Sequence, residues 1–479
     1  MKTIRTLFAV VLLSGCAMGP NYQRASVEIP ESYKASSATT GNEVGQWKVA
    51  DPRDMIAKGA WWEIYGDPVL NDLENRATRE NQSLKAAAAR VEQARAIARI
   101  SRADLFPNLN LSPSQTWGRD SENTRVGVPG ATFSSTRLPL DLSYEIDIWG
   151  RVRRAFEASR DEALASVSDY ETIFLTLKAD VAQNYFALRS LDQERALLRR
   201  TIELRQEALH LVDSRFKNGV ANDLDLAQAQ TEVATAQADL TGLDKRRIER
   251  ENALAVLVGL PPANFSVAEN TRELQVPVIP GGLPSEILER RPDIASAERT
   301  MAAQNARIGV AKAAFFPVVR LTGNMGLESG DITQLFNWSS RAWSMGPSIS
   351  LPIFEAGRNM ANLSRAKSGY EESVANYRQQ VLVAFQEVED GLSGLRLLTQ
   401  QIDQQTTAVR ASQRTADLSG KRYQAGLSNY LEVVDANRSV LNNQRLVTQI
   451  NGQRLALSVQ LIKALGGGWQ ENPLKVATN

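Results

Sequence analysis

Residues 137–148 read Arg137-Leu138-Pro139-Leu140-Asp141-Leu142-Ser143-Tyr144-Glu145-Ile146-Asp147-Ile148. Leu138, Leu140, Leu142, Tyr144, Ile146 and Ile148 fall on one face, and Arg137, Asp141, Ser143, Glu145 and Asp147 on the other. This is the two-residue period of a strand with an apolar and a polar side. Three further stretches carry the same signal. Trp343, Met345, Ile349 and Leu351 alternate with Ser344, Gly346, Ser348 and Ser350. Leu109, Leu111 and Trp117 alternate with Asn108, Asn110, Ser112, Ser114 and Thr116, and Val319, Leu321, Met325 and Leu327 with Arg320, Thr322 and Asn324. Each stretch is about ten residues long, the length at which a tilted strand crosses a bilayer. Small sheets packed on a helical layer alternate in the same way, so the rest of the chain has to separate the two readings.

Composition narrows the chemistry. The 479 residues suffice for two to four ordinary domains, and a hydrophobic share of 43% is normal for a folded chain. With 55 Lys plus Arg against 54 Asp plus Glu, nothing marks a nucleic-acid-binding surface. A single His and a single Cys exclude His-based triads, HExxH zinc sites and Cys/His metal clusters, so no cofactor and no metal is expected. The chain opens with Lys2 and Arg5, an apolar run from Leu7 to Leu13, and Leu13-Ser14-Gly15-Cys16. This resembles a bacterial lipoprotein signal, with residues 1–15 removed and Cys16 acylated. After Cys16 no run of about 18 apolar residues occurs. A membrane could be spanned only by strands.

Residues 16–65 form a polar lipidated segment in which Trp47, Trp61 and Trp62 are the expected anchors. Gly66-Asp67-Pro68 reads as a helix start, an Asp cap with Pro in the first turn, and the helix is expected to run to about Leu105, before Pro107. Residues 151–218 contain neither Gly nor Pro, enough for a helix roughly 100 Å long. The breaks are Lys217-Asn218-Gly219-Val220-Ala221-Asn222 in the first long tract and Gln424-Ala425-Gly426-Leu427-Ser428-Asn429 in the second. Gly at a left-handed cap followed by Asn at the next helix start makes each a tight turn between antiparallel helices.

The turns expose an internal repeat. At an offset of 207 positions Arg215, Phe216, Gly219, Asn222, Leu224, Ala229 and Gly259 fall on Arg422, Tyr423, Gly426, Asn429, Leu431, Ala436 and Gly466. RADLFP ending at Pro107 matches KAAFFP ending at Pro317, and Gly150-Arg151 matches Gly357-Arg358. The order helix, strand, strand, long helix, turn, helix therefore occurs twice, over residues 66–265 and 266–470, with a tail at 471–479. Four strands cannot close a barrel, and closed rings begin at about eight. Two copies or three would supply enough, and the physics leaves both open. In either ring Leu138, Leu140, Leu142 and Ile146 face lipid, and Asp141, Glu145 and Asp147 line an aqueous interior. Polar segments at about 118–134 and 328–341 become the outer loops.

Taken together, LSGC and GPNY within residues 13–22, GDPVL at 66–70, RADLFP, RRPDI at 290–294, AAFFP at 313–317, LPIFEAGR at 351–358, RYQAGLSNYLEVVDANRS at 422–439 and KALGGGW at 463–469 resemble one family. It is the outer-membrane factors of tripartite efflux systems, TolC-like, closest to the lipoprotein branch that serves resistance-nodulation-division pumps. The one departure is Ala25, where the family's opening motif carries Pro. The resemblance implies an α+β membrane protein with two internal repeats. Three protomers with four strands each form a twelve-stranded transmembrane β-barrel, continuous with a long twelve-helix periplasmic α-barrel. It implies a homotrimer in the outer membrane of a Gram-negative bacterium, lipid-anchored at Cys16. This would be no enzyme but a passive exit duct for small molecules expelled by an inner-membrane RND-type pump through a periplasmic adaptor (membrane fusion) protein.

The resemblance also assigns residues. Arg215, Gly219, Asn222, Arg422, Gly426 and Asn429 would form the tip that contacts the adaptor. Leu431, Asp435 and Arg438, at i, i+4 and i+7 on one helix stripe, would constrict the periplasmic entrance as a gate. Three copies of Asp435 would make a carboxylate ring able to bind cations. The first repeat has Leu224, Gln228 and Thr231 at those positions, so opening is expected to move mainly the second hairpin. Plain helix capping at the turns and a surface Asp/Arg pair are the simpler alternatives. A duct serving type I protein secretion would share most of these features, and a periplasmic coiled-coil scaffold would use the helices but leave the strands unexplained. Glu145 and Asp147, the nearest candidates for a hydrolytic carboxylate pair, merely share a strand face. His210 reads as an exposed helix residue, and Gly466-Gly467-Gly468 as a helix end, since no Lys-Ser/Thr follows.

Overall fold

The computed structural model describes residues 17–30, 33–34, 59–123, 130–277, 279 and 290–467. The signal segment, Cys16, Trp47 and the tail lie outside them. The described elements are α1 (Pro68–Glu80), α2 (Gln82–Ala103), β1 (Asn108–Leu111), β2 (Ser114–Arg119), β3 (Thr132–Ile146), α3 (Arg151–Lys217), α4 (Asp223–Leu257), α5 (Pro292–Ala313), β4 (Val318–Ser329), β5 (Arg341–Ser350), α6 (Arg358–Gln424) and α7 (Tyr430–Ala464). The repeat is visible in lengths: α3 and α6 have 67 residues each, α4 and α7 have 35 each. At about 1.5 Å per residue the longer pair are helices of about 100 Å. No described helix is apolar and long enough to cross a membrane.

Two corrections to the sequence reading are local. The helix opened by Asp67, whose side chain accepts from the Val69 and Leu70 N–H groups, stops at Asn81 instead of running to Leu105. Asn81 is extended there; its Oδ1 accepts from Leu84 N–H at 2.9 Å, its Nδ2 donates to Leu257 O at 2.9 Å, and its own N–H reaches Ala77 O. One side chain thus ends α1 and caps α2. The first strand is also interrupted at Ser112-Pro113, yet its ladder keeps register, since Ser112 N–H still reaches Pro139 O at 3.2 Å.

The chain divides into two compact units that cut across the repeats. The first comprises Met1–Ser26, Arg90–Val167 and Ser296–Gln379 and contains the sheet. Its strands are antiparallel, in the order β1/β2, β3, β4, β5. On one face the polar residues meet across strands: Asn324 Nδ2 donates to Asp141 at 2.6 Å, Arg137 pairs with Glu328 at 2.7 Å, and Arg320 lies 3.9 Å from Glu145, which also accepts from Arg151 of α3 at 2.8 and 2.9 Å. Opposed residues of this kind hold a register, because a slip of one would turn every side chain over. The other face bares Trp117, Met325, Trp343, Met345 and Ile349, all more than 60% exposed. Pro139 sits in central β3 opposite Gly326, where a Cβ would lie 2.3 Å from Leu138 O, so only glycine fits. The outer edges of β1/β2 and of β5 have no strand partner among the described residues. The segment after Cys16 straps this unit: Met18 N–H donates to Trp149 O, Asn305 to Pro20 O, Arg154 to Asn21, and Arg24 to Glu298 at 2.5 Å.

The second unit comprises Val27–Ala89, Ser168–Ala295 and Gln380–Asn479. Its core packs Trp61, Trp62, Tyr65, Leu70, Leu73, Tyr185, Phe186, Leu254, Val459 and Ile462, so two of the three expected tryptophan anchors are buried as anticipated. Glu74 and Lys178 form a buried ion pair beside this core. Lys178 donates to Glu74 O at 2.8 Å, lies 3.5 Å from the Glu74 carboxylate, and has the Trp62 ring 4.1 Å from its ammonium. Burial drives the Glu74 carboxyl up to about 8 and pushes the Lys178 ammonium below its ordinary range. Arg291 of the RRPDI motif donates to Ala464 O at 3.0 Å, capping the C-terminus of α7, and binds Asp293 and Glu387 at 2.6 Å each. After Ala464 the chain turns at Gly466 and Gly467, both with positive φ, as the helix-end reading expects.

Candidate functional site: the hairpin turns and the Asp435 stripe

Both turns lie in the second unit and have the same geometry. Gly219 and Gly426 share φ of 74°, the left-handed conformation that glycine adopts without steric cost. The N–H groups of Gly219 and Val220 return to Phe216 and Arg215, and those of Gly426 and Leu427 to Tyr423 and Arg422, the paired bonds that finish a helix before a reversal. Asn222 accepts from Asp225 N–H at 2.8 Å and Asn429 from Glu432 N–H at 3.1 Å, so both asparagines start the returning helices. The guanidinium of Arg215 lies over the Tyr423 ring at 5.0 Å, and Tyr423 meets Tyr430 at 5.4 Å. The two turns are thus stacked side by side. Burial raises the Tyr430 hydroxyl above its ordinary range. At the outermost positions Val220 and Leu427 stand 66% and 70% exposed. His210 is exposed on its helix.

One turn inward, Leu431, Asp435 and Arg438 lie on the exposed side of α7, and Arg438 reaches Asp435 at 3.5 Å. Arg438 also crosses to α4, placing its guanidinium 2.5 Å from the Glu232 carboxylate. Glu232 is buried and is held from α3 as well, by Arg205 at 2.8 Å. A second pair repeats the crossing: Arg445 of α7 bonds Asp239 of α4 at 3.2 Å and Glu194 of α3 at 2.7 Å. Glu232 to Asp239 and Arg438 to Arg445 are both seven-residue steps, two turns of helix. Two ion pairs therefore join the repeat-equivalent helices along a common stripe.

The structure brings the six turn residues together and places the three stripe residues on one helix. Glu232, Arg205, Glu194, Arg445 and Asp239 are additions that the sequence reading missed. A signal was present in the seven-residue spacing of two acids on one helix and two arginines on its repeat equivalent.

A sheet with one apolar and one polar face, two open edges and paired long helical hairpins defines the class of membrane channels built from strands and helices together. Known proteins agree. The profile of the outer membrane efflux protein family matches residues 73–260 and 283–467. The cation efflux system protein CusC of Escherichia coli O6:H1 is 34% identical over 469 residues, covering 97% of this chain and 98% of that protein. The solvent efflux pump outer membrane protein SrpC of Pseudomonas putida is 34% identical over 468 residues, 97% of each chain. Among solved structures, the CmeC outer membrane channel of Campylobacter jejuni superposes with a TM-score of 0.84 at 27% identity, covering 96% of this chain and 97% of that one. The chain belongs to the outer membrane efflux protein family. It is an outer-membrane channel for efflux, as the family resemblance of its sequence motifs implies.

Proposed function

We propose that this protein is the passive exit duct of a tripartite system: three copies join their sheets into a twelve-stranded barrel, and their helical hairpins form the wall of a periplasmic conduit. The observation that carries this is the sheet itself, with its aromatic and aliphatic face exposed, its charges paired on the opposite face, and both edges open. Open edges in lipid leave backbone groups without partners, so closure through other copies is obligatory. Two copies would give eight strands, whose interior side chains nearly fill; three give a lumen. Cys16 supplies the lipid anchor in this reading.

The Asp435 ring with Leu431 and Arg438 constricts the entrance, and the Arg438–Glu232 and Arg445–Asp239 pairs hold the second hairpin against the first while it is closed. Arg215, Gly219, Asn222, Arg422, Gly426 and Asn429 shape the tip, whose exposed Val220 and Leu427 offer apolar contact to a periplasmic adaptor. The energy comes from an inner-membrane RND-type pump, and the cargo is small molecules, in keeping with relatives named for cation and solvent efflux. The protein conducts and does not catalyse. Purified protein in planar bilayers should give discrete conductance steps, and pull-down from envelopes should recover an adaptor and an RND-type pump. Absence of steps would favour the scaffold reading; recovery of a type I secretion exporter instead would move the duct to protein secretion.

A further inference from the structure

The apolar face of the sheet ends differently on its central and its edge strands. Leu138, Leu327 and Arg341 lie opposite one another on that face, and toward the loops it continues through Thr136 opposite Ser329. Central β3 and β4 therefore pass from leucine to hydroxyl side chains at the loop end. The edge strands pass from tryptophan to arginine instead. β2 leaves the sheet as Trp117-Gly118-Arg119 and β5 enters it as Arg341-Ala342-Trp343, with Trp and Arg of each pair on the apolar face. Tryptophan followed by a cation along a lipid-facing strand marks the passage from hydrocarbon to headgroups. The two arginines are not equivalent. Arg119 is occupied, bonded to Glu122 at 2.9 Å and to Gly130 O at 3.3 Å. Arg341 gives only its Nε to protein, donating to Trp338 O at 2.7 Å while its guanidinium lies over the Trp338 ring. Among the described residues no carboxylate pairs with Arg341. Trp338 and Trp343, on either side of it along the chain, are 76% and 78% exposed, and Ile332 and Phe336 of the same loop are bare as well.

We propose that Trp338, Arg341 and Trp343 bind a phosphorylated glycolipid of the outer leaflet, with Arg341 on a sugar phosphate and the indoles along the first carbons of the acyl chains. The proposal rests on the reading of the sheet as a membrane wall and adds a ligand to its outer rim. With Nε held by Trp338 O, the two terminal nitrogens of Arg341 form a free fork, the geometry that takes two oxygens of one phosphate. Charge complementarity selects the occupant. A zwitterionic headgroup sets an ammonium beside each phosphate, whereas the acylated disaccharide of a Gram-negative outer leaflet carries phosphomonoesters whose charge awaits a cation. An anionic headgroup below and bare aromatic rings beside it are the two halves of one amphipathic ligand.

The test is the amount of lipid A, the bisphosphorylated acyl-disaccharide of that leaflet, retained by the protein purified in detergent, for the unaltered chain, R341Q and R119Q. R341Q should retain about tenfold less, the ratio that one charge-assisted bond to phosphate carries, and R119Q, whose arginine is already paired, as much as the unaltered chain. Added lipid A should raise the unfolding temperature of the unaltered protein and not of R341Q, while dephosphorylated lipid A and inorganic phosphate should leave both unchanged. Full retention by R341Q, an equal loss in R119Q, or equal stabilisation by dephosphorylated lipid A would overturn the site and leave the membrane wall standing. A smaller assembly mass in R341Q would assign Arg341 to a contact between copies and overturn it too. Unaltered protein that stays in solution without detergent would remove the membrane wall and the site together.

Discussion

Arg438 of the second hairpin places its guanidinium 2.5 Å from the carboxylate of Glu232 in the first. The two residues stand 206 positions apart, on helices that are equivalents in the repeat. Glu232 is buried and already bound to Arg205, so it is a fixed anchor, whereas Arg438 is half-exposed and can leave. If the second hairpin opens as proposed, this pair would be its latch.

Arg438→Ala removes the latch and keeps Glu232 bound to Arg205. A charge-assisted bond to a half-exposed partner contributes about 1.5 kcal/mol, roughly a tenfold shift of the closed–open balance. Resting conductance in planar bilayers should rise accordingly, with trimer mass unchanged. Unchanged conductance would place the constriction elsewhere.

Asp435 has its carboxylate exposed beside Arg438. Three such groups about an axis bind cations, so Asp435→Asn should weaken block by a trivalent cation added on the periplasmic side by roughly tenfold. Equal block in the variant would assign Asp435 to the surface ion pair alone.

Val220→Asp and Leu427→Asp place charge on exposed turn positions that touch no core. Stability should be unchanged within about 0.5 kcal/mol, while recovery of the adaptor in pull-down falls severalfold. Loss of adaptor without loss of trimer is the diagnostic outcome; full recovery would remove the turns from the docking surface.

The buried Glu74 carboxyl, raised to about 8, makes the folded chain hold a proton that the unfolded chain releases near pH 4.5. Its contribution is complete at low pH and declines as pH rises from about 4.5 to about 8. Thermal unfolding of the detergent-solubilised protein should therefore occur at lower temperature at pH 8 than at pH 5, and Glu74→Gln should flatten the difference. A slope that survives the substitution would trace it to other groups.

Much of this was legible in the residues because the repeat uses punctuation that physics restricts. Glycine with positive φ at 219 and 426, capping asparagines at 222 and 429, and strict alternation from Leu138 to Ile146 each admit few conformations. Asn81 was missed because an asparagine among Glu80, Gln82 and Ser83 reads as one more polar helix residue until Leu257 O arrives to bind its amide. The break at Pro113 was hidden because the ladder resumes in register beyond it. Glu232 resembled any surface glutamate, since its burial depends on Arg205 and Arg438, far away in sequence. Local chemistry was readable; partners brought by the fold were not.

If several copies close one barrel, the protein extracted from outer membranes in detergent, corrected for bound detergent, should have the mass of three protomers. A monomer or dimer, above all one soluble without detergent, would rule out the shared barrel.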